Sequence, residues 1–268
     1  MWCISVCLLH LFGNFVLPTI RAFGSLEYRV QNGFIALPGE FPSVVLLTGK
    51  VNRCTGTLIA MNKVLTAGHC ACGDTMTDVF ANVTAVAERF QSTVYHRRVR
   101  EMAYPISYTA SCEKLFKGLE EDQNVLGGTS DIAILTTDKP FVYKPNAVEV
   151  ERLNLVQPDR TNRILSEVNR ADALVLGFGK EPNSQTTGLL RFGYVALSAC
   201  PSGIQINTTN ALCAQVENNF QTPDVGDSGG PLINSAGYVI GVTSISGDGW
   251  IVFSSVHTHA AFISSNLN

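Results

Sequence analysis

Charge is scarce in this chain. Only 15% of its 268 residues are charged, with 19 Lys and Arg against 22 Asp and Glu, for a formal net charge of −3. That balance gives no electrostatic footprint for nucleic acid, and no basic run marks a membrane-binding surface. Internal repeats and low-complexity tracts are absent, which excludes solenoids and repeat arrays. Beyond the N-terminus no stretch is long and apolar enough to span a bilayer. With 46% hydrophobic residues, the composition is that of a core-rich globular protein with ample length for a sizeable interior.

The N-terminus lacks the positive charge that usually opens a secretory signal, but it has the other parts. Trp2 to Ile20 is apolar apart from Ser5, His10, Asn14 and Thr19, and the small residues Ala22 and Gly24 follow. Residues 1–24 therefore read as a signal peptide cut near Ala22 or Gly24, which places the protein outside the cell. An uncleaved anchor is the rival reading; Gly13, Asn14, Pro18 and the marginal length weigh against it. Of 8 cysteines, Cys3 and Cys7 leave with the signal, and an even number remains for an oxidising compartment.

The most informative stretch is Gly226-Asp227-Ser228-Gly229-Gly230-Pro231-Leu232. A serine hydroxyl is a poor nucleophile unless a base takes its proton and donors receive the oxyanion that follows. Glycine beside Ser228 leaves the N–H groups of Gly226 and Ser228 free to converge on one point. Asp227 is a buried-anion candidate in need of a cation. A histidine and an aspartate stand earlier in suitable settings: His69 in Leu65-Thr66-Ala67-Gly68-His69-Cys70, and Asp131 in Asp131-Ile132-Ala133-Ile134-Leu135. The order His, Asp, Ser is that of the chymotrypsin arrangement and differs from the subtilisin and α/β-hydrolase orders. From Val30 to the C-terminus the chain resembles the trypsin-like (chymotrypsin-fold) serine peptidases.

The resemblance implies an all-β fold of two six-stranded antiparallel β-barrels packed together, with a short C-terminal helix. Barrel one would take residues 30 to about 150, barrel two about 151–255, and the helix about 256–267. Many short apolar segments separated by turn residues agree with this; the clearest strands are Val44–Leu47, Thr57–Ile59, Asp131–Leu135, Ala173–Leu176, Gly193–Leu197, Tyr238–Ser244 and Ile251–Ser255. His69, Asp131 and Ser228 would be the catalytic triad, Gly226 and Ser228 the oxyanion hole, and Ser244 the serine that supports the aspartate. Residues 25–29 would be an activation peptide, cut by another protease after Arg29 so that the new ammonium of Val30 pairs with Asp227. Cys54 with Cys70, and Cys200 with Cys213, match two disulfides of the family. Cys72 and Cys112 are left over; they are expected to pair, with free thiols or a Cys/His zinc site as the alternatives. Neither a metal nor a cofactor is implied. Partners would be protein or peptide substrates and a macromolecular inhibitor, with neither nucleic acid nor membrane.

Each motif has a bland reading taken alone. Serine in a Gly-rich turn is usually just a turn, histidine beside cysteine is usually structural, and aspartate before an apolar strand is usually a cap. Occurring together, with the activation junction, they outweigh those readings. A catalytically silent homologue acting as a binding or regulatory module is the alternative, though no triad residue is lost. The remaining histidines His96, His257 and His259 are expected at the surface. The segment between His69 and Asp131 is long for the family, and its excess around His96–Gly128, including Arg97, Arg98 and Arg100, is expected as a loop. Thr222 falls at the base of the specificity pocket where trypsins keep an aspartate. Ser246 and Ile251 replace glycines that keep the pocket open, so a restricted neutral pocket is expected. Asn82 and Asn207 head glycosylation sequons.

Overall fold

The computed structural model describes residues 33–50, 52–73, 75–116, 130–155, 172–179, 188–201, 208–215, 226–247 and 249–267. The segment expected to be a signal peptide, Arg29, Val30, Asn207, Thr222 and the two N-terminal cysteines lie outside these residues.

The described residues form thirteen strands. A first closed barrel runs β2 (Val44–Gly49), β3 (Arg53–Ala60), β4 (Lys63–Thr66), β7 (Ala133–Thr137), β6 (Tyr95–Ala103) and β5 (Met76–Ala81), antiparallel throughout. The second sheet has the order β1 (Phe34–Ile35), β9 (Arg191–Ser198), β10 (Ala211–Gln215), β13 (Trp250–Ser255), β12 (Val239–Gly247), β11 (Pro231–Ile233), β8 (Asp172–Gly177). Because β8 also pairs with β9, six of these strands form a ring, and β1 is an addition on its edge. The short N-terminal strand thus joins the second sheet, although it precedes the first barrel in sequence. Short helices α1 (Gly68–Ala71) and α2 (Ile106–Phe116) accompany barrel one, and α3 (Ala260–Leu267) closes the chain.

The apolar run of β2 shows how the barrels join. Val45 and Leu47 point into the barrel-one core with Leu58, Leu65 and Ile134. Val44 and Leu46, on the other face, pack with Leu176 and Phe178 of the second half. A strand buried on both faces needs a continuous hydrophobic run and not an alternating one. β9, with one face inward, alternates buried and partly exposed residues along its length. Val239, Val242, Val256 and Ile263 reach from the second half into the barrel-one core, so the joint is apolar.

Two expectations are corrected by the fold. Arg97, Arg98 and Arg100 belong to β6, not to an inserted loop. There Tyr95 and Val99 pack on the core while the alternate His96, Arg98 and Arg100 face out. His96 stays partly exposed and pairs with Asp78 at 2.6 Å, but His259 is buried and its Nδ1 approaches the Ser255 carbonyl at 2.7 Å. The extra length beyond β6 begins with a helix, α2, tied back to the barrel by a Cys72–Cys112 disulfide. Closing that loop, whose ends lie 40 positions apart, restricts the unfolded chain by about 4 kcal/mol on the entropic view of cross-links. Cys54–Cys70 and Cys200–Cys213 are bonded as the resemblance implied. With Cys72 committed to a disulfide, both alternatives for it, a free thiol and a zinc ligand, fall away.

Candidate active site

His69 lies on α1, a single turn held at both ends. Cys70 is bonded to Cys54 of β3, and Cys72, just past the turn, is bonded to Cys112 of α2. Gly68 is required by its neighbour: a Cβ there would sit 2.7 Å from the Tyr108 ring. Tyr108 is fully buried on α2, so the inserted helix forms a wall behind the histidine turn.

Asp131 lies two residues before β7 and has no exposed surface. Its carboxylate meets three donors. The His69 backbone N–H donates to Oδ1 at 2.7 Å, His69 Nδ1 lies 2.8 Å from Oδ2, and the Ser244 hydroxyl donates to Oδ2. Ser254 donates to the Asp131 carbonyl at 2.7 Å. An ionised carboxylate only accepts hydrogen bonds, so His69 carries its proton on Nδ1 and presents a bare Nε2. Burial by itself would raise the Asp131 pKa; the His69 charge and the hydrogen bonds from His69 and Ser244 outweigh it and hold the group below the usual carboxylate value. For His69 burial works against the charged form, yet the Asp131 charge and hydrogen bond prevail, and its pKa stands above 6.5. The Tyr108 phenol is pushed far up, by burial first and then by the Asp131 charge.

Ser228 comes from a different part of the chain. Residues 226–229 form a turn closed by Gly230 N–H donating to Asp227 O at 2.9 Å, and Gly226 and Gly229 have φ of 108° and 83°. Those angles favour glycine. The Ser228 carbonyl accepts the Thr55 N–H at 2.8 Å and touches Cys70 Sγ at 3.7 Å, which seats the serine backbone against the residue that follows His69. Gly229 fits tightly against the residues that precede His69: an added Cβ would lie 2.0 Å from Thr66 Oγ1 and 3.0 Å from the Ala67 nitrogen. Among the described residues no hydrogen bond joins His69 Nε2 to Ser228 Oγ; the backbone contacts are what bring the two segments together.

Asp227 is wholly buried, and its Oδ1 accepts the Gly179 N–H at 2.7 Å. Gly177 and Gly179 wrap it so closely that an added Cβ would stand 2.1 and 2.6 Å from its oxygens. Cys54, His69 and Cys70 cluster at ligand-like distances, but both sulfurs are spent in one disulfide, which leaves a single ligand and no metal site there. Ser246 is exposed at the end of β12. Ile251 has no exposed surface and packs with Ala214 and Phe253 in the core of the second sheet. Asn82 takes a left-handed φ of 60° after β5, and its side-chain nitrogen donates to Thr93 O at 2.9 Å.

A family model, Trypsin, matches residues 30–261. The chain belongs to the trypsin family of serine peptidases. It is 27% identical over 209 residues to the cercarial protease of Schistosoma mansoni, covering 77% of this chain and 75% of that one. It is 28% identical over 211 residues to coagulation factor IX of Oryctolagus cuniculus, covering 76% and 70%. Lectizyme of Glossina austeni is 28% identical over 218 residues, covering 76% and 71%. Among solved structures, human heparin binding protein superposes with a TM-score of 0.67 at 21% identity, covering 88% of this chain and 96% of that one. Mouse neuropsin does so with a TM-score of 0.66 at 18% identity, covering 88% and 99%. Trypsin-like proteases act on protein substrates, and a protease function follows from the family. No helix among the described residues is long and apolar enough to cross a membrane.

Residues of evident structural weight that gave no sequence signal are Thr55, Thr66, Tyr108, Gly177, Gly179 and Ser254. Threonine in a strand, or tyrosine in an insertion, is too common to point anywhere. Gly177-Phe178-Gly179 could have been found by asking which loop must wrap the buried Asp227.

Proposed function

We propose that this protein is a secreted serine endopeptidase that cleaves peptide bonds through Ser228, His69 and Asp131. It is made as an inactive precursor and activated by cleavage after Arg29. The observation that carries this reading is the buried Asp131 carboxylate clasping His69 Nδ1, with the Ser228 backbone packed against the same histidine turn. In the reaction His69 Nε2 takes the Ser228 hydroxyl proton as Oγ attacks the substrate carbonyl. Asp131 keeps the imidazole in its tautomer and stabilises the imidazolium without accepting the proton. The N–H groups of Gly226 and Ser228 receive the oxyanion; neither donates to an acceptor among the described residues. His69 then hands its proton to the leaving amine, and water hydrolyses the acyl-enzyme by the same steps in reverse.

A fluorophosphonate probe tests the reading. Protein cut at Val30 is expected to label on Ser228, and Ser228→Ala is expected to abolish the label. Failure of folded, processed protein to label would overturn it and favour a silent homologue that binds a partner. The acidic limb of kcat/KM supplies a second check. The base must be neutral, so activity is complete above the His69 pKa and falls about tenfold per pH unit below it. Since Asp131 holds that pKa above the ordinary histidine value, a limb displaced to the acid side of a free imidazole would contradict the Asp131–His69 pairing.

The reading extends to substrate choice, exported carbohydrate and inhibition. Thr222, where trypsins keep an aspartate, and Ser246, where the family keeps a glycine, support a restricted neutral pocket for small or medium apolar side chains; Ile251, buried in the core of the second sheet, adds nothing to that argument. Cleavage of a fluorogenic peptide panel chiefly after Arg or Lys would refute it. Asn207 and Asn82 are the proposed glycosylation sites. At Asn82 the glycan would have to be reconciled with an amide nitrogen already donating to Thr93. A macromolecular inhibitor would bind as a substrate does.

A further inference from the structure

We infer that Thr55, a buried residue of β3 with no chemistry of its own in the reaction, is the positioning residue that sets the oxyanion-hole backbone around Ser228. The inference rests on the peptidase reading above. Thr55 has no exposed surface, yet its N–H, hydroxyl and carbonyl are spent on three other segments, two of them distant in sequence. Its N–H donates to the Ser228 carbonyl at 2.8 Å. Its hydroxyl donates to the Gly226 carbonyl at 2.8 Å and accepts the Phe178 N–H at 3.0 Å. Its own carbonyl accepts the Thr66 hydroxyl at 2.8 Å, three residues before His69. Its neighbour Cys54 is bonded to Cys70, the residue after His69.

The consequence is geometric. Three successive carbonyls run through the serine turn, and each has a fixed donor. Gly226 O is held by the Thr55 hydroxyl, Asp227 O by Gly230 N–H and Ser228 O by Thr55 N–H. A peptide unit is planar, so fixing the Asp227 carbonyl fixes the opposed Ser228 N–H. Gly226, with φ at 108°, is a residue whose backbone could otherwise swing, because glycine explores conformations closed to other residues. The Thr55 hydroxyl restrains it from outside the turn. The same hydroxyl anchors Phe178, and the next N–H along, that of Gly179, holds the Asp227 carboxylate. One side chain thus ties together the first barrel, the loop that cradles Asp227 and the turn that carries the proposed nucleophile.

The test compares Thr55→Val, which keeps the shape and loses the hydroxyl, with Thr55→Ser, which keeps the hydroxyl. In processed protein Thr55→Val is expected to lower kcat about ten- to hundredfold with KM within about twofold, because an interaction felt mainly in the transition state is weakened. Inhibition by a peptidyl boronic acid, a tetrahedral mimic, should weaken by the same factor, and Thr55→Ser should restore both. Equal kcat for wild type and Thr55→Val, or equal losses in Val and Ser, would overturn the inference. Should the valine protein not fold, Thr55→Ala takes its place against Thr55→Ser. A second readout does not depend on catalysis. In a Ser228→Ala background, Thr55→Val should speed amide hydrogen exchange at residues 226–230 at least tenfold while β2 and β7 keep their protection. Unchanged exchange there would overturn the role of Thr55 even if the wild type proved not to be an enzyme; an inactive wild type with the expected exchange would sink only the peptidase reading.

Discussion

Asp131→Asn is expected to lower kcat by about 10⁴ in a protein that still folds. The buried carboxylate of Asp131 has only acceptors to offer, and it is met by the His69 N–H, by His69 Nδ1 and by the Ser244 hydroxyl. An amide of the same shape must place an NH₂ where one of these oxygens was. The His69 backbone N–H still requires the remaining oxygen, so the NH₂ falls at the position that faces Nδ1 and Ser244. Ser244 can turn its hydroxyl and accept. Nδ1 can accept only by giving up its proton, and the imidazole then carries its hydrogen on Nε2, where it cannot receive one from Ser228. Folding should survive because the substitution removes a buried charge along with its partner's attraction.

The same variant carries a pH signature. Burial depresses the His69 pKa, and only the Asp131 charge and hydrogen bond lift it above the ordinary value. With asparagine the lift is gone and the burial remains. The acidic limb of the residual activity should therefore move to lower pH than in the wild type. A pH–rate series on both proteins checks the two effects at once. A loss under tenfold, or a limb that stays in place, would mean that Asp131 does not orient the base.

How much of this was readable in advance depended on whether the signal is local. Ser228 is legible because its turn needs glycine at specific backbone angles, which writes a dense string into the sequence. β2 is legible because burial on both faces demands an unbroken apolar run. β6 was not: its outward residues His96, Arg98 and Arg100 form a charged cluster that reads as loop, and only closure of the barrel shows that Tyr95 and Val99 face the core. His259 reads as a surface residue because only the folded turn shows that the Ser255 carbonyl, four residues back, accepts from its Nδ1. Thr55 was missed for a related reason. Its partners Gly226, Ser228 and Phe178 lie more than a hundred residues away, and its role exists only once the barrels meet.

A chain that cannot be cut after Arg29 is expected to remain nearly inactive, with kcat/KM lower than that of processed protein by at least about 10²–10³, the scale of a lost oxyanion donor. The argument begins at Asp227, which has no exposed surface and is gripped so closely by Gly177 and Gly179 that its carboxylate has little freedom to leave. The Gly179 N–H at 2.7 Å is a neutral donor; it hydrogen-bonds the carboxylate without cancelling its charge. Taking a carboxylate out of water costs several kcal/mol, and a charged partner offsets more of that than a neutral donor does. In the proposed scheme the counter-ion is the ammonium of Val30, which lies outside the described residues and exists as an ammonium only after cleavage. Before cleavage that nitrogen is an uncharged amide, so the charge–charge attraction that would draw the N-terminus in beside Asp227, and so order the backbone of Gly226 and Ser228, does not yet exist. Arg29→Ala should block activation, and cleavage at an engineered site that again frees Val30 should restore it, with the new N-terminus confirmed by sequencing. Asp227→Asn in fully cleaved protein should reproduce the defect, because removing the carboxylate removes the reason for the ammonium to fold inward. Full activity in the uncut Arg29→Ala chain would show that the turn around Ser228 is held by its other anchors alone, with Thr55 the first of them to examine.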